Sequence, residues 1–243
     1  MLALIPWIIL GTASVVFPVL FFIPAPYGRY QRRGWGPSMP SRAAWLLMES
    51  VSVFLFAWAF LTMSPFHDEP AALWLAGLWL LHYLQRAFIY PLKMRDPGKG
   101  TPLLTVAMAV VFNSLNAISN GAALAPRTLD LKVVLGALIF FAGFAINLHS
   151  DAVLRGLRKP GESGYAIPYG GLYKWVSCPN YLGELLEWTG FAIAAWTFPA
   201  LAFAVFTFAN LFPRAIAHHR WYREKFADYP KDRTAIIPFL GRR

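Results

Sequence analysis

The chain has 243 residues, of which 57% are hydrophobic and only 14% charged, with a mean hydropathy of +0.46. A soluble domain carries roughly 25% charged residues, so the composition excludes one and points to a protein embedded in a membrane. The single cysteine, Cys178, excludes an internal disulfide and a cysteine-based zinc centre, while the formal charge of +10 requires an explanation of its own.

Residues 2–23 are apolar and uncharged, with neither the basic leader nor the small-residue cleavage site of a signal peptide, and are expected to form a first span. A polar linker, 24–42, carries Arg29, Arg32, Arg33 and Arg42. Apolar runs follow at 43–64 and 71–92, separated by the acidic loop His67-Asp68-Glu69. A basic turn at 93–100, rich in proline and glycine, precedes further runs at 102–124 and 132–148. The last run, 179–213, is too long for one crossing of about 20 residues. Trp196 to Pro199 supplies a turn that divides it. The expected fold is all-α: a polytopic membrane protein of seven transmembrane helices in one domain. Residues 1–124 hold spans one to four, and 132–243 hold spans five to seven, the longer loops and a basic tail.

The charges sort themselves on this plan. The linkers 24–42, 93–100 and 149–178, the tail from Arg214, and Arg86 near the end of span three fall on one side. They hold all but two of the 22 Lys and Arg residues, Arg127 and Lys132 being the exceptions. The positive-inside rule then places the amino terminus outside and the carboxyl terminus in the cytoplasm. Topology accounts for the basic charge, so the expected partners are membrane lipids and not nucleic acid. The expected location is the bacterial cytoplasmic membrane, or the endoplasmic reticulum in a eukaryote.

Three polar stripes stand at the ends of apolar runs. Asn147, Asp151, Arg155 and Arg158 share one helix face, as do Asn180, Glu184 and Glu187, and later Arg214, His218, Tyr222 and Lys225. Taken singly, each reads as a solvated face or a contact with lipid phosphates. Glu184 and Glu187 resist that reading, because carboxylates inside an apolar run are costly unless paired or functional. Together the stripes point to a cytoplasm-facing site for a large, polar, anionic ligand. Guanidinium groups such as those of Arg155 and Arg158 offer paired planar donors to phosphates. The loop to Cys178, with four glycines around Tyr165, Tyr169 and Tyr173, reads either as a lid over a nucleotide or as an ordinary surface loop. No G-x-G-x-x-G or G-x-x-x-x-G-K-[ST] occurs, so a nucleotide would bind without a Rossmann fold or a P-loop. His218 and His219 are adjacent and diverge on a helix, so no metal is expected.

Two further groups lie inside the spans. Glu49 is about 10 Å along its helix from Arg42, and Tyr83 about 15 Å from Lys93. Since spans two and three run in opposite directions, both fall in the cytoplasmic half of the bilayer. A carboxyl kept neutral by desolvation and a phenol at similar depth could grip one ketone oxygen. The bland alternatives are a structural hydrogen bond for Glu49 and an interfacial anchor for Tyr83, a role that suits Tyr90 better.

The blocks NLHSDAVLRGLRKPGESGYAIPYGGLYKWVS, NYLGELLEW and RAIAHHRWYREKFADYPKDRTAIIPF resemble the signature blocks of steroid 5α-reductases, and RAAWLLME and HYLQRAFIYP resemble their amino-terminal blocks. The resemblance covers roughly 38–239 and is nearest a bacterial member. It implies a seven-span reductase that uses NADPH to saturate the Δ4 double bond of a 3-oxo-steroid entering from lipid, giving the 5α-dihydro product; a monomer is expected. On that resemblance Glu49 and Tyr83 bind the 3-keto oxygen. Asn147, Asp151, Arg155, Arg158, Tyr165, Asn180, Glu184, Arg214, His218 and Tyr222 contact NADPH, while Trp45, Phe112 and Asn116 line the steroid pocket. Met108 stands where the animal enzymes carry an arginine, and the loop MRDPGKGTP looks longer than theirs, so no cofactor contact is assigned there. The rivals are a trans-2-enoyl-CoA or other sterol double-bond reductase, an isoprenylcysteine-type methyltransferase of related fold that would need neither Glu49 nor Tyr83, and a lipid-binding or transport protein without redox chemistry.

Overall fold

Where water is absent, backbone groups can pair only with one another, so each apolar run becomes a helix. The computed structural model describes residues 2–26, 28–32, 34–94, 100–125, 128–157 and 164–239. Its helices are α1 (Ile5–Phe22), α2 (Ser41–Met63), α3 (Pro70–Leu84), α4 (Tyr90–Lys93), α5 (Leu103–Ala123), α6 (Leu131–Gly156), α7 (Pro179–Ala195) and α8 (Phe198–Lys225). Proline in the first turn starts α1, α3, α7 and α8, where its missing N–H costs nothing. Asp130 caps α6 by accepting the Val133 N–H at 3.0 Å. Trp196 takes a left-handed conformation (φ 48°) and ends α7, which makes the expected break before α8.

Among the described residues, five helices are long and apolar enough to cross a membrane: Leu2–Phe22, Ser41–Met63, Leu103–Ala123, Leu131–Gly156 and Phe198–Lys225. The other two expected spans are shorter as single helices, 15 residues in α3 and 17 in α7. A π turn over Gln85–Ile89 carries α3 onward into α4. α6 runs past its expected end at 148 to Gly156, and α8 continues to Lys225, so Asn147, Asp151 and Arg155 of the first stripe and the whole of the third ride on unbroken helices. Two short antiparallel strands, Ser38–Pro40 and Gly100–Pro102, were not expected; they clasp the starts of α2 and α5.

The tightest helix pair is α6 with α7. A Cβ added at Gly143 would strike the Gly183 carbonyl oxygen and come within 2.6 Å of Glu187 N. One at Gly190 would come within 2.5 Å of Gly136 O and Phe140 N. Only side-chain-free positions let two backbones approach so closely. The consequence is functional, since Asn147 and Asp151 of α6 are laid beside Asn180 and Glu184 of α7. An aromatic core seals the middle of the bundle. In it the Trp79 indole meets the rings of Phe56 (4.6 Å), Tyr83 (4.9 Å), Trp188 (5.3 Å) and Phe203 (5.7 Å).

Candidate active site

Glu49 sits half-buried on α2 between two cross-links. Asn113 Nδ2 on α5 donates to the Met48 carbonyl at 2.8 Å, and Trp79 Nε1 on α3 donates to the Ser52 carbonyl at 3.0 Å. These bonds lock α2 to both neighbours on either side of the carboxyl. Tyr83, only 3% exposed, directs its phenol toward Glu49, Ser52, Asn116 and Glu184. Asn120 Nδ2 donates to Asn116 Oδ1 at 2.9 Å, which fixes the Asn116 amide, while among the described residues Asn116 Nδ2, buried beside the Tyr83 phenol, has no partner at hydrogen-bond distance. A buried donor left open beside a phenol and a carboxyl is a place for an acceptor oxygen.

Next to this trio lies Arg86, inside the π turn. Its Nη1 donates to Asp151 Oδ2 at 3.2 Å, and its Nη2 lies 3.9 Å from Glu184 Oε2. Trp45 and Tyr90 flank the guanidinium with ring centroids at 4.6 and 4.4 Å. In the sequence Arg86 stands out only as a topological charge and His82 not at all, yet His82 Nδ1 and Glu187 Oε2 meet at 2.5 Å. The available signal was their i, i+4 spacing, which turns both toward the carboxylates of α6 and α7. Asn147 Nδ2 donates to the Asn180 carbonyl at 3.0 Å, and Asp151 also interacts with Arg155 and Asn180. The first two stripes therefore face each other.

The third stripe forms a second, adjoining cluster. Arg214 Nη2 donates to the Tyr181 hydroxyl at 3.1 Å. His218 lies between two phenols, with Nδ1 3.1 Å from Tyr30 Oη and Nε2 3.1 Å from Tyr181 Oη. A neutral imidazole donates from one nitrogen and accepts at the other, so the two tyrosines take opposite roles. Arg29 Nη2 donates to the Tyr222 hydroxyl at 3.4 Å, and the guanidinium stacks over Tyr165, Trp221 and Tyr222 at 4.5–5.0 Å. Its buried Nη1 has no hydrogen-bond partner among the described residues. Burial pushes the Tyr30 hydroxyl up to about 12, against the pull of Arg29, so it stays a neutral donor and acceptor. Arg29 and Tyr30 were missed because they belong to a linker whose path across α8 has no local periodicity. Lys225 is exposed at the end of α8, and Arg158 lies outside the described residues.

The part of the lid-like loop nearest α7 is fastened down. The Tyr173 hydroxyl donates to the Ser150 carbonyl at 3.4 Å. Ser177 Oγ meets His219 Nδ1 and Tyr229 Oη at 2.6 Å each, Ser177 N donates to Thr234 O at 2.9 Å, and Arg233 Nη1 donates to Pro168 O at 3.0 Å. Burial pushes the adjoining Cys178 thiol up to about 12. Of the remaining expected residues, Phe112 stacks on Phe206 at 3.9 Å and closes the α5–α8 wall, while Met108 is 51% exposed on the outside of α5.

The donors suit a phosphate-bearing dinucleotide. Arg29, Arg155 and Arg214 supply guanidinium groups, Asn147 and Asn180 supply amides, and the open Nη1 of Arg29 awaits an acceptor. The Glu49–Tyr83–Asn116 group, beside an aromatic wall, suits an apolar ligand with one polar oxygen.

Residues 99–240 match the family described as 3-oxo-5-alpha-steroid 4-dehydrogenase. The chain is 43% identical to 3-oxo-5-alpha-steroid 4-dehydrogenase 1 of Bos taurus, across 93% of this chain and 91% of that one. It is 41% identical to steroid 5-alpha-reductase DET2 of Gossypium hirsutum, across 91% and 90%. It is 40% identical to 3-oxo-5-alpha-steroid 4-dehydrogenase 2 of Homo sapiens, across 89% and 88%.

Proposed function

The chain belongs to the 3-oxo-5-alpha-steroid 4-dehydrogenase family, and we propose that it reduces the Δ4 double bond of a 3-oxo-steroid to the 5α-dihydro product with NADPH. It is an oxidoreductase and an integral, multi-pass membrane protein. In the proposed topology α3 and α7 also cross, giving seven spans with the amino terminus outside. Spans one to four chiefly hold substrate, and spans five to seven with the cytoplasmic loops chiefly hold cofactor.

Asn147, Asp151, Arg155, Arg158, Tyr165, Asn180, Glu184, Arg214, His218 and Tyr222 would hold NADPH, with Arg29 closing over Tyr222. When bound, NADPH supplies the hydride delivered to C5. The steroid enters from lipid, seats its rings against Trp45 and Phe112, and presents its 3-keto oxygen to Glu49 and Tyr83. Both groups donate hydrogen bonds to that oxygen, and the Asn116 amide stands beside them. A hydride added at C5 would push the C4–C5 π electrons through C3 onto the keto oxygen, where preplaced donors in a dry site stabilise the enolate most, and a proton from water taken up at C4 would complete the reduction. Arg86 keeps Asp151 and Glu184 paired, so that carboxylate charge is directed away from the developing oxyanion.

The observation that carries this reading is the convergence of buried Tyr83 on half-buried Glu49 and on the amide of Asn116. Glu49→Leu and Tyr83→Phe, each of which deletes one donor to the keto oxygen, are expected to lower kcat by about 10²–10³-fold, the usual loss for one oxyanion donor. NADPH affinity should stay nearly unchanged in both. Full turnover in Glu49→Leu would remove that residue from the mechanism.

A further inference from the structure

His82 and Tyr83 are neighbours on α3, Glu187 and Trp188 are neighbours on α7, and the two pairs interlock. His82 Nδ1 meets Glu187 Oε2 at 2.5 Å, with the residues 4% and 0% exposed. The His82 ring stands edge-on to Trp188 at 4.6 Å, and the Tyr83 ring lies 5.5 Å from the same indole. Consecutive helical residues point about 100° apart. A helix gripped at two adjacent side chains by its neighbour therefore cannot rotate or slide without breaking one contact.

The grip comes where α3 most needs one. Two residues beyond Tyr83 the helix passes into the π turn Gln85–Ile89, where the regular i to i−4 ladder is interrupted. Upstream, Trp79 is pinned to the Ser52 carbonyl. Between these points, the His82–Glu187 pair is the polar contact that ties the rotation of α3 to α7, beside the ring contacts of His82 and Tyr83 with Trp188. Stability alone is a poor reason for the pair, since a buried ionisable couple is often no better than an apolar one of equal volume. Glu187 Oε1 is moreover buried without a hydrogen-bond partner among the described residues, an unfavourable arrangement that a purely stabilising contact would avoid.

We propose that the His82–Glu187 pair is a positioning latch for Tyr83: it fixes the rotation of α3 and so aims the phenol toward Glu49 and Asn116. Neither latch residue touches substrate. The inference rests on the role given to Tyr83 above.

A double-mutant cycle in kcat tests it. His82→Leu breaks the latch and is expected to lower kcat about 10- to 100-fold, the cost of misplacing a reacting group by roughly an ångström. The KM for NADPH should not move. In a Tyr83→Phe background the same change should cost nothing further, because the phenol it aims is gone. His82→Asn, which keeps an N–H donor toward Glu187, and Glu187→Gln, which keeps an oxygen acceptor, should restore most of kcat. Running the cycle again with Glu187→Leu reads the latch from its other side, so the misfolding of one variant does not decide the matter. Equal fold losses in both backgrounds, or Glu187→Gln as damaged as Glu187→Leu, would overturn the latch alone. Full kcat in Tyr83→Phe by itself would overturn the role of Tyr83, and the latch with it.

Discussion

Arg86→Met removes the guanidinium that Asp151 and Glu184 share, and its cost can be worked from the geometry. The Arg86–Asp151 pair is close (3.2 Å) and nearly buried, with side chains 12% and 6% exposed. Removing one partner of a buried pair costs about 3–5 kcal/mol, because the survivor is left buried and uncompensated. Glu184 is 3.9 Å away and 19% exposed, so it adds little, and the low end applies. Lost stacking on Trp45 and Tyr90 is worth about 0.5–2 kcal/mol, part of which the methionine chain replaces by area. A total near 3 kcal/mol corresponds to a fall in Tm of roughly 6–12 °C for a chain of this size. Thermal unfolding of the detergent-purified protein, followed by tryptophan fluorescence, measures it. Arg86→Lys should fall between, since it keeps the charge but not the planar fork. Arg86→Met combined with Asp151→Leu should recover part of the loss, because no unpaired carboxylate then remains at that position. A Tm for Arg86→Met within about 1 °C of wild type, the range of an ordinary surface change, would refute the reasoning.

Three further outcomes follow from the packing. Gly143→Val must push α6 off α7, since even a Cβ there strikes Gly183; overpacking of about 1–3 kcal/mol should appear as roughly tenfold weaker NADPH binding. Unchanged affinity would mean that the close approach of α6 and α7 does not set the cofactor site. Cys178, buried and with its thiol held near 12, should resist maleimide at pH 8 until the protein is denatured; rapid labelling of native protein would contradict its placement. The Val133 N–H, helped by Lys132, holds the Asp130 carboxyl below its usual range. Its contribution is therefore full above the unfolded carboxylate pKa and is lost as pH falls through the folded value. Asp130→Asn should flatten that acid-side part of the Tm–pH curve, and an unchanged slope would count against the cap.

Much of this architecture could be read locally. An uncharged run of about 20 residues has few choices besides a helix, so the order of the apolar segments and the break at Trp196 were visible in the chain. The stripes were legible for the same reason: Asn147, Asp151 and Arg155, or Asn180, Glu184 and Glu187, declare one face by spacing alone. What spacing cannot state is which face meets which. His82 and Glu187 are 105 positions apart, and Tyr30 and His218 are 188 apart. The pairing of α6 with α7 did leave a trace, in glycines a heptad apart at Gly136 and Gly143 and again at Gly183 and Gly190. The π turn left none, as nothing in Gln85–Ile89 distinguishes it from ordinary helix; that is why Arg86, which it carries into the site, was legible only as a charge.

The most direct test of the central claim is NADPH oxidation by the purified protein with progesterone, a 3-oxo-Δ4-steroid, the product being compared with 5α and 5β standards by mass spectrometry. The account predicts NADPH consumption matched by a product two hydrogens heavier with 5α stereochemistry. Protein that binds NADPH yet leaves the 3-oxo-Δ4-steroid untouched would contradict the substrate class, and protein that binds no NADPH would contradict the account as a whole.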